Sequence, residues 1–283
     1  VQEHSFPTRR SSDLELETQG FEVTYLQPDE TGTVTLAALR KELRPDTILV
    51  SIMMVNNEVG SVMPVQQMAK LTKRICPNAI FHTDAVQGFL KIPFAAKTLG
   101  ADLISISSHK VHGPKGCGAL YISPRLKSFP PLLHGGGQEG NFRSGTEGTP
   151  AIFSFAAACE AGAATLKADI AHEKELLNSL VEKISGLEGI VVNGCHEAPH
   201  ILSLSIPGVP TQNTINILQD HGICVSAGSA CAKGHRSHVL ETMGLKPEVM
   251  DGSFRVSLCR NTTQEELDTL VDVIRDEILP RAR

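Results

Sequence analysis

Thr47-Ile-Leu-Val-Ser-Ile-Met-Met54 is an almost unbroken apolar run between Asp46 and Asn56, of the length of one strand. A strand that is apolar on both faces belongs inside a parallel sheet covered on both sides. Upstream, Thr35–Leu43 sets Leu36, Leu39 and Leu43 on one helical face, with Pro45 just beyond. Before that, Phe21-Glu-Val-Thr-Tyr-Leu26 alternates with the period of a strand. Downstream, the pattern predicts a helix over 65–75, a strand over 79–83, a helix over 94–99 and a strand over 102–107. This βαβ succession implies an α/β domain with a mainly parallel sheet.

After Gly145 the texture changes. Two long helices are expected over about 149–166 and 169–186. Strands follow at Ile190–Val192, Ile201–Ile206, 222–226 and Phe254–Leu258, with helices from Gln212 and from Gln264 to Leu279. The expected organisation is a large domain over 15–145, connecting helices over 146–170 and a smaller α+β domain over 171–283. Ser5-Phe-Pro-Thr-Arg-Arg-Ser-Ser-Asp-Leu14 has neither helical nor strand period. It is similar to the translation of a common sequencing-adapter oligonucleotide, so residues 1–14 are expected to be foreign to the fold and a segment upstream of Glu15 to be missing.

Composition narrows the function. With 26 Lys+Arg against 31 Asp+Glu the net charge is −5, which argues against nucleic acid or an anionic membrane as the main partner. No Trp and only 2 Tyr leave few platforms for stacking bases. No run approaches the roughly 18 apolar residues of a membrane span. The 7 cysteines are odd in number and contain no C-x-x-C pair, so a disulfide framework is not expected and a cytoplasmic location is. Cys231, His235 and His238 also have metal-ligand spacing, but no matching carboxylate or second cysteine pair accompanies them.

Ligands of open α/β sheets bind just outside the carboxyl ends of the strands. Three expected strand ends carry reactive groups: Asn56-Asn57, Asp84, and Ser107-Ser-His-Lys110. Gly113-Pro-Lys-Gly116, Gly135-Gly-Gly137 and Arg143-Ser-Gly-Thr146 add loops in which backbone N–H groups can approach a phosphate. Neither a dinucleotide nor a triphosphate motif is present. One lysine and one carboxylate beside a phosphate site suit pyridoxal 5'-phosphate, which needs an amine for its Schiff base and an acid at its ring nitrogen. Taken singly, Asp84 reads equally as a helix cap or Asx turn, and Lys115 is a competing amine in what reads as a turn.

Six ordered motifs then carry a resemblance: Val55-Asn-Asn-Glu-Val-Gly60, His82-Thr-Asp-Ala-Val-Gln87, Ser107-Ser-His-Lys110, Arg143-Ser-Gly-Thr146, Ser229-Ala-Cys231 and Arg255-Val-Ser257. From about Glu15 to the C-terminus the chain resembles the cysteine desulfurases of the NifS/IscS type, pyridoxal-phosphate enzymes of the aminotransferase-like fold (fold type I). The resemblance implies that Lys110 carries the cofactor and later moves the α-proton, and that Asp84 pairs with the ring nitrogen. It implies that Gln87 donates to the ring hydroxyl oxygen and that Ser107, His109 and Thr146 hold the phosphate. In the family that Thr comes from the partner subunit, so a homodimer is implied. Arg255, assisted by Asn57, would clamp the carboxylate of L-cysteine. Cys231 would take the sulfur as a persulfide, release alanine and pass the sulfur to an acceptor or iron–sulfur scaffold protein, for cluster assembly or tRNA thiolation. The family also places a histidine over the cofactor ring, and His4 is near that spacing; a further Gly/Ala-Thr phosphate turn of the family is lacking here. Selenocysteine as substrate, and a non-catalytic interaction subunit, are the alternatives.

Overall fold

The computed structural model describes residues 15–126, 130–131, 133–227 and 236–282, so His4, Cys231 and His235 lie outside the described residues. In chain order the elements are α1 (Leu36–Glu42), β1 (Leu49–Met53), α2 (Val65–Ile75), β2 (Ile80–Asp84), α3 (Ala96–Leu99), β3 (Leu103–Ser107), β4 (Gly118–Ile122) and α4 (Thr149–Ser185). They continue with β5 (Val191–Asn193), β6 (Ile201–Ser205), α5 (Thr211–Asp220), α6 (His238–Thr242), α7 (Pro247–Asp251), β7 (Ser253–Ser257) and α8 (Gln264–Val273).

Two compact units result. One holds Leu43–Met54 and Pro64–Leu166; the other holds the residues up to Glu42, Val55–Met63 and Lys167 onward. The chain therefore changes unit at 42–43, 54–55, 63–64 and 166–167, where the sequence suggested one passage through connecting helices over 146–170. The reason is local. β1 must pair with β2, but the turn that follows β1 sends Gly60 against Ile201, where a Cβ would lie 2.9 Å from the Ile201 carbonyl oxygen. Only a residue without a Cβ, and free to take φ +72°, closes that contact.

The first unit is a four-stranded sheet in the order β1-β2-β3-β4, with β1, β2 and β3 parallel and β4 antiparallel to β3. Val50, Ile52, Phe81, Thr83 and Ile104 alternate onto one buried face, and α2 buries Val65, Met68 and Ala69. The opposite face is more open than the apolar reading of 47–54 implied: Leu49 is 45% exposed and Leu120 44%. A buried ionic centre ties the sheet's far end together. Fully buried Asp102 accepts from Arg125 Nε and Nη2, both at 2.7 Å, and from the Phe81 N–H at 2.9 Å, with Lys73 Nζ at 3.3 Å.

The second unit contains the antiparallel sheet β5-β6-β7. Every residue of the central strand β6 is buried. Leu202 and Leu204 join Leu177, Leu180 and Ile184 of α4 and Leu270 of α8 in one core. Burying one such leucine contributes roughly 1.5–3 kcal/mol. The capping box Thr263/Glu266 starts α8.

Four expectations change. Residues 21–26 form no strand; their period is right, but Phe21 and Tyr25 stay about half exposed. The expected strand 222–226 reduces to one bridge between Ser226 and Arg255. The two helices over 149–186 are one helix of 37 residues, since no proline interrupts it beyond Pro150; Gly162 lets Leu90 pack closely, its Cδ1 2.9 Å from where a Cβ would lie. The helix from Gln264 loses its α geometry after Val273, passing through a π-helical turn (Ile274–Ile278) and a 3-10 turn (Leu279–Arg281). Pro280 has no N–H to donate and its ring crowds the carbonyl four residues back. Among the described residues the cysteines at 76, 117, 159, 195, 224 and 259 are free thiols, no metal cluster occurs, and no helix is long and apolar enough to cross a membrane.

Candidate active site

In the sheet unit, Asp84 ends β2 in register with Met53 of β1 and Ser105 of β3. Its Oδ1 accepts the Val86 N–H at 2.9 Å, so the Asx-turn reading is realised, while Oδ2 takes no hydrogen bond among the described residues. One oxygen thus fixes the carboxyl and the other stays available. Gln87 is half-buried in the turn that follows.

β3 runs directly into a 3-10 turn, Ser108–Val111, which carries His109 and Lys110. Ser108 N–H donates to the Cys117 carbonyl at 3.0 Å, and Gly113 N–H returns to the Ser108 carbonyl at 3.0 Å. A Cβ on Gly113 would sit 2.2 Å from Ser108 Oγ, so the tight turn that presents Lys110 depends on glycine there. Lys110 is half-buried and His109 exposed. Ser107 Oγ lies 2.8 Å from His109 Nδ1. Burial, then the neighbouring Lys110 and Lys115 ammonium groups, hold His109 below the ordinary histidine value. A neutral ring that accepts from Ser107 presents its Nε2–H outward.

Behind Asp84 the same sheet face bears His82. Its Nδ1 lies 2.7 Å from Ser51 Oγ and its Nε2 2.9 Å from Ser105 Oγ, so three adjacent strands share one hydroxyl–imidazole–hydroxyl line. Burial lowers the His82 pKa, with the Asp84 charge opposing. The sequence reading did not single out His82, although its i, i+2 spacing to Asp84 was the available signal.

The amine, the half-free carboxylate and the hydroxyl–imidazole pair stand at the ends of adjacent parallel strands. This donor set fits pyridoxal phosphate: Lys110 could bond its carbonyl carbon, Asp84 its ring nitrogen, and Ser107 with His109 its phosphate. Thr146 is exposed in the loop before α4.

In the other unit, Arg255 occupies the middle of β7 and its backbone makes both bonds of the Ser226 bridge, at 2.7 and 3.2 Å. The guanidinium is half-buried. Nη1 donates to the Asn57 main-chain carbonyl at 2.6 Å and Nε to Ser257 Oγ at 3.1 Å. Burial draws the guanidinium down from its ordinary value, and the Glu58 charge opposes that. Asn56 shapes the turn by accepting the Glu58 and Val59 N–H groups at 2.8 and 3.1 Å. Asn57 therefore reaches Arg255 through its main-chain carbonyl. Glu58 was missed because its role appears only once residues 58 and 255 are brought together.

Residues 12–270 match the family model Aminotransferase class-V. The cysteine desulfurase IscS of Vibrio vulnificus YJ016 is 39% identical over 267 residues, covering 92% of this chain and 65% of that protein. The cysteine desulfurase of Nostoc sp. PCC 7120 is 39% identical over 274 residues, covering 95% of this chain and 68% of the relative. The chain thus spans about two thirds of the length of these curated relatives. A solved NifS-like protein superposes with a TM-score of 0.87 at 38% identity, over 96% of this chain and 71% of that one. A cysteine desulfurase from Thermococcus onnurineus NA1 gives 0.83 at 26% identity, over 94% and 68%. With its mainly parallel sheet and ordered motifs, the chain belongs to the class-V aminotransferase family, among the cysteine desulfurases.

Proposed function

We propose that this protein is a cysteine desulfurase that takes sulfur from L-cysteine, releases L-alanine and holds the sulfur as a persulfide on Cys231. The observation that carries the reading is the half-free Asp84 carboxylate at the end of β2, beside the β3 turn that presents Lys110. Bound pyridoxal phosphate would supply an electron sink conjugated to the substrate α-carbon.

The chain's own residues do the rest. Lys110 Nζ bonds the cofactor, then carries the α-proton. Asp84 Oδ2 keeps the ring nitrogen protonated, because an opposite charge at that distance favours the charged form. Gln87 donates to the ring hydroxyl oxygen. Ser107, His109 Nε2–H and Thr146 hold the phosphate, Thr146 acting on the partner subunit's cofactor in a homodimer. Arg255 grips the substrate carboxylate with a planar fork suited to two parallel hydrogen bonds. The Cys231 thiolate attacks the substrate sulfur: an S–S bond forms, the Cβ–S bond breaks, and the electron pair stays with carbon, which takes up a proton to give alanine. No external oxidant is needed. The sulfur then passes to an acceptor or an iron–sulfur scaffold protein, in the cytoplasm. His4 is proposed only for the position over the ring.

The test is direct. Protein loaded with pyridoxal phosphate is given L-cysteine and a thiol reductant, and alanine and sulfide are quantified. Equimolar products support the proposal; an absence of both from fully loaded protein refutes it. Selenocysteine in parallel reads the substrate preference.

A further inference from the structure

The main chain of Arg255 pairs on both sides. On one side it stands opposite Ser203 of β6, which in turn stands opposite Asn193 of β5. On the other it bridges Ser226 and exchanges both hydrogen bonds with it, at 2.7 and 3.2 Å. Directly opposed residues of antiparallel segments carry their side chains on the same face, with Cβ atoms about 4.5–5.5 Å apart. Asn193, Ser203, Arg255 and Ser226 therefore form one polar row. Ser203 Oγ accepts from Asn193 Nδ2 at 3.2 Å, and Ser257 Oγ accepts from Arg255 Nε at 3.1 Å. Ser226 Oγ differs: it is buried and has no hydrogen-bond partner among the described residues. A buried hydroxyl without a partner is costly, and each such group calls for a reason. This one stands a single strand spacing from a guanidinium whose Nη2 N–H groups are uncommitted among the described residues.

We propose that Ser226 is a substrate-contacting, specificity-determining residue: its hydroxyl donates to the same carboxylate that Arg255 grips, and so selects amines that bear an α-carboxylate. The proposal rests on reading Arg255 as the substrate clamp. A carboxylate has about four lone-pair sites, more than the free N–H groups of one guanidinium edge occupy. A hydroxyl on the same face, one strand away, is placed to fill another. Its bond to a charged oxygen is stronger than one between neutral groups. Discrimination is asymmetric for the same reason. A site built to hydrogen-bond one group rejects the analogue that lacks it, because the protein's own polar atom is then left without a partner. Before substrate arrives the hydroxyl adds nothing to the fold, since the bonds that hold Ser226 are those of the backbone bridge.

The test uses the cofactor-loaded protein and reads binding from the absorbance of the bound cofactor. L-alanine is the probe with a carboxylate, and ethylamine is the amine without one. Ser226→Ala should weaken L-alanine binding by about tenfold or more and leave ethylamine binding unchanged. KM for L-cysteine should rise with little change in kcat, and Tm in the absence of amino acid should not fall. Wild-type L-alanine affinity in Ser226→Ala overturns the inference. An equal loss for ethylamine overturns it too, because the hydroxyl would then act elsewhere than on the carboxylate. So does a clear fall in Tm or a loss of the fold, which would give the hydroxyl a partner in the protein itself. Arg255→Gln separates the two readings. Wild-type L-alanine affinity in that variant removes the clamp and this inference with it. Weakened binding there, beside wild-type affinity in Ser226→Ala, removes the inference alone.

Discussion

Arg255 Nη1 is bonded to the main-chain carbonyl of Asn57 at 2.6 Å, across 198 positions of sequence. The acceptor is backbone, so the turn built by Asn56 and Gly60 sets the direction of the guanidinium. Nε is likewise committed, to Ser257 Oγ, so the Nη2 N–H groups and the second Nη1 N–H are what a substrate carboxylate can use.

Arg255→Lys keeps the charge and loses the fork. KM for L-cysteine should rise by about tenfold or more, with little change in the absorbance of the bound cofactor. Steady-state kinetics beside a visible spectrum measure both, and an unchanged KM would make Arg255 structural.

Lys110→Ala should retain the fold and lose covalent cofactor attachment, because the backbone bonds of Ser108 and Gly113 hold the 3-10 turn. Borohydride reduction followed by peptide mapping tests this. Labelling at wild-type level in the variant would move the assignment to Lys115.

Cys231→Ser should bind cofactor and L-cysteine normally but release no sulfide, since a hydroxyl is a far poorer nucleophile than a thiolate near neutral pH. Sulfide release at the wild-type rate would redirect attention to Cys224, which is exposed, or to Cys259.

Asp102→Asn addresses stability. Burial alone would raise the Asp102 pKa, but the Arg125 hydrogen bonds, the Phe81 N–H and Lys73 outweigh it and hold the carboxyl below its usual range. A lowered folded-state pKa means that this stabilisation is complete above the unfolded value, about 3.9, and is lost as pH falls through the folded value. The variant should lose about 3 kcal/mol at pH 7, the low end for a broken buried pair because the Arg125 side chain is 38% exposed and can be hydrated. Below about pH 4 the gap between variant and wild type should narrow. Chemical denaturation at several pH values measures both effects, and a constant gap would contradict the assignment.

Local pattern alone determined a good deal of this protein. Apolar runs and helical spacing marked β1, α2, β2 and β3 to within two residues, since period and strand length are properties of adjacent side chains. The placement of Asp84 and of Ser107–Lys110 at strand ends followed from the same reading, and their ordered motifs carried the family resemblance. What needed the tertiary structure was partnership. Residues 21–26 have the alternation of a strand, yet pairing depends on a free sheet edge that no local window contains. The division into units turned on Gly60 meeting Ile201. A buried guanidinium is costly alone, so Arg255 needs partners that no local window names. That Arg255 meets the Asn57 carbonyl was decided by the turn over Asn56–Gly60, which Asn56 holds by accepting the Glu58 and Val59 N–H groups.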